Sequence, residues 1–394
     1  MKKIIVNKNH IKYTILWSTV LLFSFYPAFL DNNTLTSKGN LFINLAILVG
    51  CTYYIANYKK LNKIIFLFTA FVGVQLASTI MNHAYIAKAL WGTGVLLIAL
   101  CIAIQDFYKK DKKLFLKTGY VVFYFFIVIN LISIILFPDG IFMDQRGISS
   151  SNFFLGNYNG FIIYIFLGLI LGYCYLQNYR QKYFKFFYIL LWIFSGLTFV
   201  KVHSVTSMVG LFLLLIYELF FNYRWSRIFC NIKVYTVINL LFFFSFVFNG
   251  GSNNSFMAKL LSLFGKDITF TGRTEIWEKV IGLMGHNWIF GNGIETGERM
   301  AEKVGMIQAV NAHNFYLDTI YKTGLLGLLL LAISFLYSLY WLKKIENQKL
   351  RYFLEAFLGI FMFMSQFEAY NIKFIFFMLT FITMYGYSRK NNPK

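Results

Sequence analysis

The sequence predicts an all-α polytopic membrane protein of about twelve transmembrane helices, with both ends cytoplasmic and one large extracytoplasmic loop. Three observations predict it. Of 394 residues, 58% are apolar and only 13% are charged, whereas soluble globular chains carry roughly 25% charged residues. Apolar runs recur along the whole chain, many close to the length of about 20 helical residues that crosses the hydrocarbon of a bilayer. The basic residues fall between those runs in an alternating pattern.

Taken in order, the apolar segments cover 14–30, 41–57, 64–80, 89–107, 119–137, 160–177, 186–200, 208–222, 234–249, 324–342, 352–369 and 372–388. With the N-terminus inside, the inner connections hold four Lys or Arg in 1–13, three in 58–63, five in 108–117, three in 178–185, three in 223–233, four in 343–351 and three in 389–394. The outer connections before residue 250 hold only Lys38, Lys88, Arg146 and Lys201. Short inner loops of membrane proteins are enriched in Lys and Arg, and a missed span would invert the pattern from that point on. The first segment lacks a small-residue cleavage site at its exit, YPAFLDNNT, and reads as a retained span. With prolines only at 27, 138 and 393, most spans should be unkinked.

The net charge of +21 does not imply nucleic acid, because the basic residues sit in short clusters between apolar runs rather than on one continuous face. Cys51, Cys101, Cys174 and Cys230 form no CxxC pair, so neither a disulfide framework nor a zinc site is indicated. The span centres lack Asp, Glu, Lys and Arg; Asp106, Glu218 and Glu355 lie toward inner ends and Glu368 toward an outer end. Ion-coupled carriers bury such groups at mid-membrane, so their absence argues against a coupled transporter.

The chain therefore reads as one membrane domain, 1–394, with outer loops at 138–159, 201–207 and 250–323 on a common side. Polar chemistry concentrates in the last of these. Its stretch RTEIWEKVIGLM, 273–284, puts Ile276, Trp277, Val280, Ile281 and Met284 on one helical face, with Thr271 as the expected N-cap. Gly291-Asn292-Gly293 signals a turn. NAHNFYLDTIYKTG then reads as a second short helix, with Asn311 capping it, His313 and Leu317 on one face, and Gly324 at the entry to the next span. The plain alternative for the loop is an amphipathic flap on the membrane surface, with Trp277 and Trp288 as interfacial residues.

The order of these pieces resembles the O-antigen ligase/polymerase (Wzy-type) family. Gly272-Arg273, Trp277, Gly291-x-Gly293, His313-Asn314-x-Tyr316-Leu317 and Gly324-x-x-Gly327 carry the resemblance, with Arg146-Gly147 and Gly156-Asn157-Tyr158-Asn159 in the earlier loop. The residues before the Gly-x-Gly turn, His286-Asn287-Trp288, depart from the proline often found there in the family. The resemblance implies a glycosyltransferase at the outer face of a bacterial cytoplasmic membrane. Its donor would be an oligosaccharide repeat on a polyprenyl diphosphate. Its product would be a capsular or O-antigen-type polysaccharide, or, in the ligase variant, a glycan on another acceptor. A flippase and a chain-length regulator of the same pathway are the implied protein partners.

Breaking a sugar–diphosphate bond builds negative charge on a leaving group that needs no obligatory acid. Fixed cations aimed at that charge are the main requirement, and arginine suits diphosphate oxygens best. Arg273 is the first candidate. Arg146, Lys201 and Arg299 are further diphosphate-binding candidates, with Asn159 and Asn314 as substrate-contacting amides. A base for the acceptor hydroxyl is His313, which the family's His-Asn motif also implies, with Glu368 and Asp318 as alternatives. No carboxylate cluster points to a metal, and no cofactor is expected. The competing reading is a flippase or exporter of lipid-linked sugar, which the large outer loop and charge-free span centres disfavour.

Overall fold

The computed structural model describes residues 8–31, 45–56, 60–142, 151–179, 181–220, 231–248 and 272–391. Arg146, Thr271 and Cys230 lie outside the described residues. The described chain is almost wholly helical: α1 Lys8–Ser24, α2 Leu45–Ala56, α3 Lys63–Met81, α4 Lys88–Lys110, α5 Lys112–Leu136, α6 Phe161–Tyr179, α7 Lys182–Val202, α8 Val205–Phe220, α9 Ile232–Phe248, α10 Arg273–Met284, α11 Gly297–Val304, α12 Phe315–Leu342, α13 Gln348–Met364 and α14 Ile372–Asn391. Among the described residues six stretches are long and apolar enough to cross a membrane: α3, α4, α5, α7, α12, and Tyr158–Tyr179, which contains α6; α2, α8, α9 and α14 contribute shorter apolar segments.

Burial separates the centre of the bundle from its rim. The window around α6 is 83% buried, whereas that of α7 is only 28% buried. Helix α6 is apolar on every face and packs against α5 and α7. The rim helices keep Leu, Ile and Phe exposed, among them Phe186, Ile189, Ile193, Leu197 and Leu329. An apolar face of that kind has no place in water and suits hydrocarbon. Close approach is bought with small residues: a Cβ on Gly359 would lie 2.4 Å from the Tyr235 ring.

The two ends of the bundle differ. At one end Tyr13 Oη donates to Asp111 O (3.1 Å), Lys112 Nζ to Asn178 Oδ1 (3.4 Å), and Asn178 Nδ2 to Tyr385 Oη (2.7 Å), all beside the basic connections. At the other end a short antiparallel pair, β1 Asn152–Phe153 with β2 Gly156–Asn157, is tied to α5 through Asn130 Oδ1, which accepts from Leu155 N at 2.9 Å. The same end carries α10, α11 and their connections, folded around a small core of Ile276, Trp277, Val280, Met284, Met300 and Val304 that also takes in Phe242 and Val247 of α9.

Several local expectations change. The helix over 273–284 forms as expected, but Gly272, at φ 81°, occupies its N-cap position. Trp277 is fully buried and donates to Ala312 O at 3.0 Å, so it is no interfacial residue. The second short helix forms as well, from Phe315 to the break at Gly324, where the next span begins. Asn314, not Asn311, caps α12, accepting from Leu317 N at 2.9 Å, while Asn311 accepts from the His313 amide at 2.8 Å. His313 therefore sits ahead of the helix, at φ 45°, and shares no face with Leu317. Helical irregularity arises without proline: α4 opens and α9 closes with π-helical turns, and α12 is broken at Gly324 (φ 65°, ψ −172°).

Candidate functional site

The break at Gly324 organises the folded cap. It strands backbone groups on both sides, and stranded groups need partners. Leu325 N donates to Trp288 O (2.8 Å) and Leu326 N to Ile289 O (3.2 Å), while the Tyr321 and Lys322 carbonyls accept from Asn292 N (2.6 Å) and Gly293 N (3.2 Å). The Gly291-Asn292-Gly293 turn is thus docked into the helix break, backbone against backbone. A Cβ on Gly291 would come within 2.5 Å of Gly324 N, and one on Gly324 within 2.1 Å of Ile289 O. Both residues also have positive φ, 76° and 65°. Asn82 Nδ2 donates to Gly291 O (2.9 Å) and Tyr85 N to Ile294 O (2.8 Å), which pins the turn to the end of α3.

On this frame three segments bring together Arg273, His313 and Glu368. Arg273 is the first residue of α10. His313 lies just before α12, and Glu368 lies in the turn after α13, which ends at Met364. Arg273 Nη2 is 3.2 Å from Glu368 Oε2, and Nη1 donates to Phe367 O. Glu368 Oε1 is 3.4 Å from His313 Nδ1, an ion-pair distance without hydrogen-bond alignment. The side chains of Arg273, Glu368 and His313 are 17%, 13% and 21% exposed, so the charges interact with little water between them. Burial pushes the Glu368 carboxyl pKa up, but the His313 contact and the Arg273 guanidinium outweigh it and hold the group below the ordinary carboxylate range.

The two imidazole nitrogens face different surroundings. Nδ1 is buried and faces the carboxylate, whereas Nε2 is on the open side, 3.1 Å from Gln308 O. The turn bearing Glu368 is itself held by three buried amides. Asn314 Nδ2 donates to Gln366 O (2.9 Å) and Gln366 Oε1 (3.0 Å), and Gln366 Nε2 donates to Asn239 O (3.0 Å) and Asn239 Oδ1 (3.1 Å). Phe315 N also donates to Ser365 O at 2.8 Å. These bonds tie α9, the start of α12 and the 365–371 turn into one unit.

The other candidates lie apart. Asp318 pairs with Lys322 and accepts from Ala312 N (3.4 Å), bracing the His313 loop. Arg299 Nε is 3.8 Å from the buried carboxylate of Glu295, which Lys303 also pairs with and to which Tyr321 Oη donates at 3.0 Å. Asn159 Oδ1 accepts from Ser204 Oγ at 3.3 Å, which joins the first and second outer loops. Lys201 is exposed in the last turn of α7. Among the described residues no group of three or more His, Cys, Asp or Glu is arranged to hold a metal ion. Sequence reasoning missed Gln366, Asn239, Glu295 and Gln308. The first had a signal, since Gln366 and Glu368 interrupt an otherwise apolar stretch.

Fold and site together define a multi-pass helical membrane protein with a charged, nearly closed cluster under a folded cap at one end of the bundle. Residues 189–332 match the family model described as O-antigen ligase, a window that includes Arg273 and His313. The chain is also 35% identical over 86 residues to the exopolysaccharide production protein ExoQ of Rhizobium meliloti (strain 1021), a stretch covering 19% of this chain and 19% of that protein. Over these stretches the chain is similar to the O-antigen ligase family and to a protein of exopolysaccharide production.

Proposed function

We propose that this single membrane domain is a glycosyltransferase that polymerises polyprenyl-diphosphate-linked oligosaccharide repeats at the outer face of the cytoplasmic membrane. The observation that carries the reading is the convergence of Arg273, Glu368 and His313 from three separate segments. In this scheme the acceptor hydroxyl replaces the Gln308 carbonyl at His313 Nε2. That carbonyl only accepts, so Nε2 carries the proton while the contact stands. The acting base is the tautomer with its proton on Nδ1, toward Glu368, whose free Nε2 takes the hydroxyl proton. The hydroxyl oxygen bonds to the anomeric carbon as the bond from that carbon to the diphosphate oxygen breaks. The diphosphate leaves with the bonding electron pair, and its charge is met by Arg273. Two guanidinium donors are engaged by Glu368 and Phe367, and the remainder of the five are available for phosphate oxygens.

Glu368 then acts by holding His313 rather than as the base. A carboxylate behind Nδ1 keeps the proton there, leaves Nε2 as the acceptor, and stabilises the imidazolium once it forms. Its depressed pKa makes it a poor proton acceptor. Asp318 is engaged by Lys322 and braces the His313 loop instead. The buried Asn314 serves the cap and the amide clamp, which leaves Arg146, Lys201, Arg299 and Asn159 as the candidates for substrate contacts.

A second reading, transfer of a finished glycan to a different acceptor, is favoured by the description of the matched family as O-antigen ligase. Lipid-linked glycans in a strain lacking this chain separate the readings. Loss of a polymerase leaves single repeats on the outer face. Loss of a ligase leaves long lipid-linked polymer there. Repeats trapped on the inner face would overturn both and make the chain a transporter.

A further inference from the structure

The basic end of the bundle, opposite the charged cluster, holds a cavity of about 530 Å³ between α1, α2 and α4. Its walls run from Lys12 to Val20 on α1, from Ala46 to Tyr54 on α2 and from Ile102 to Lys110 on α4, each about 12 Å at the rise of an α-helix. The walls change character together. Lys12, Tyr13, Asp106 and Lys110 line the end next to the basic connections, whereas Leu16, Val20, Ile47, Ile102 and Ala103 line the deeper part. Two polar side chains of the deeper part are already engaged: Thr19 Oγ1 donates to Ile15 O (2.9 Å) and Cys51 Sγ to Ala99 O (3.2 Å). At the mouth, Lys110 Nζ pairs with Asp106 Oδ2 at 2.6 Å, and Asp111 caps α5 by accepting from Leu114 N at 2.9 Å. Among the described residues the ion pairs of this end join Lys110 to Asp106 and His10 to Asp111 (3.9 Å). Neither takes in Lys12, or Lys8 one turn before it. Leu16, Ala46 and Gly50 are exposed, so the cavity opens sideways between α1 and α2, and a Cβ on Gly50 would meet nothing within 4 Å.

We propose that this cavity is a binding site for one anionic phospholipid, with an acyl chain between α1 and α2 and the phosphate at Lys12. Walls that are apolar below the mouth call for an apolar occupant, and the sideways opening admits one from a bilayer without passage through water. The unpaired cation at the mouth sets the sign of the head group. Lys110 and Asp106 neutralise each other, so Lys12 is the surplus charge. A phosphodiester with an uncharged alcohol balances it, whereas a zwitterionic head group brings its own ammonium and restores the excess. Basic pockets between spanning helices select anionic lipid head groups on the same grounds. A free phosphate could meet Lys12 but would leave the apolar walls unfilled. The inference depends neither on the reaction at the capped end nor on its substrate.

The test is native mass spectrometry of the full-length protein, released from micelles that contain equal amounts of phosphatidylglycerol and phosphatidylcholine. One retained phosphatidylglycerol is expected, in excess over phosphatidylcholine. Lys12→Gln should cut that excess about fivefold, the scale of one lysine facing an anionic head group. Gly50→Trp, which fills the open side, should remove the retained lipid. Gly73→Trp, equally bulky and placed on α3 where a Cβ also meets nothing within 4 Å, should leave it. Equal retention of the two lipids, an excess untouched by Lys12→Gln, or the same loss in Gly73→Trp as in Gly50→Trp would overturn the proposal. A dimer that Gly50→Trp abolishes would overturn it too, by placing a second copy of the chain in the groove. Lys12→Gln changes one exposed side chain, so its outcome decides the matter even where Gly50→Trp fails to accumulate.

Discussion

At the scale of single residues, Glu368 decides what its neighbours can do. It bridges a guanidinium and an imidazole inside a nearly closed pocket, so neither side chain is free to wander. Arg273→Ala and His313→Ala are expected to abolish long-chain product while the protein still accumulates in the membrane; normal chain-length profiles from both would sink the assignment. One well-aimed donor to developing charge contributes roughly 3–4 kcal/mol, so losses of 10²–10³-fold in rate are the scale to look for. Arg273→Lys keeps the charge but loses the fork geometry, and should recover little activity. Glu368 also carries a pH signature. Its folded pKa lies below the usual 4.5, so its contribution to stability is present above that value and lost as pH falls through the folded pKa. The melting-temperature gap between wild type and Glu368→Gln should be flat near neutrality and narrow in acid; a gap that widens in acid would contradict the ion pair.

At the scale of elements, the cap is a backbone-docking problem solved by glycine. Gly291 and Gly324 meet where any side chain would strike main-chain atoms. Gly324→Ala adds both a clash and an unfavourable φ, and should cost about 1–3 kcal/mol, read as a lower melting temperature with partial loss of activity. The amide clamp separates two roles of Asn314. Its oxygen caps α12 and its nitrogen holds Gln366. Asn314→Asp keeps the cap but sets a carboxylate against two Gln366 oxygens. Activity should fall well beyond the loss of stability, because the turn carrying Glu368 moves; full activity in that variant would make Asn314 a cap only.

At the scale of the whole molecule, the bundle has a basic end and a capped end, and the proposed topology puts the cap outside. A cysteine at Glu298, on the exposed face of α11, should react with an impermeant maleimide in intact cells, whereas one at Lys344 should react only after lysis. The opposite pattern would invert the assignment. Chelators should leave transfer unaffected, since the proposed chemistry relies on fixed cations; sensitivity to chelation would require a metal in the mechanism.

Membrane helices were legible because hydrocarbon imposes one rule on every span, long apolar runs with satisfied backbones, and that rule acts locally along the chain. The amphipathic helix at 273–284 was legible for the same reason, since periodicity is local. Arg273 and His313 could be named from motif order, yet nothing in the sequence says that Glu368, 95 residues beyond Arg273, lies between them. Nor does it say that Asn239 reaches Gln366 across 127 residues, or that the Gly-x-Gly turn fills a break in α12. Those facts belong to the tertiary structure, because they depend on which helix ends meet and on backbone groups that only packing leaves unpaired. The sequence by itself determined a membrane-embedded helical chain with a polar cap and a short set of candidate cations and bases; the tertiary structure alone decided which of them share one site.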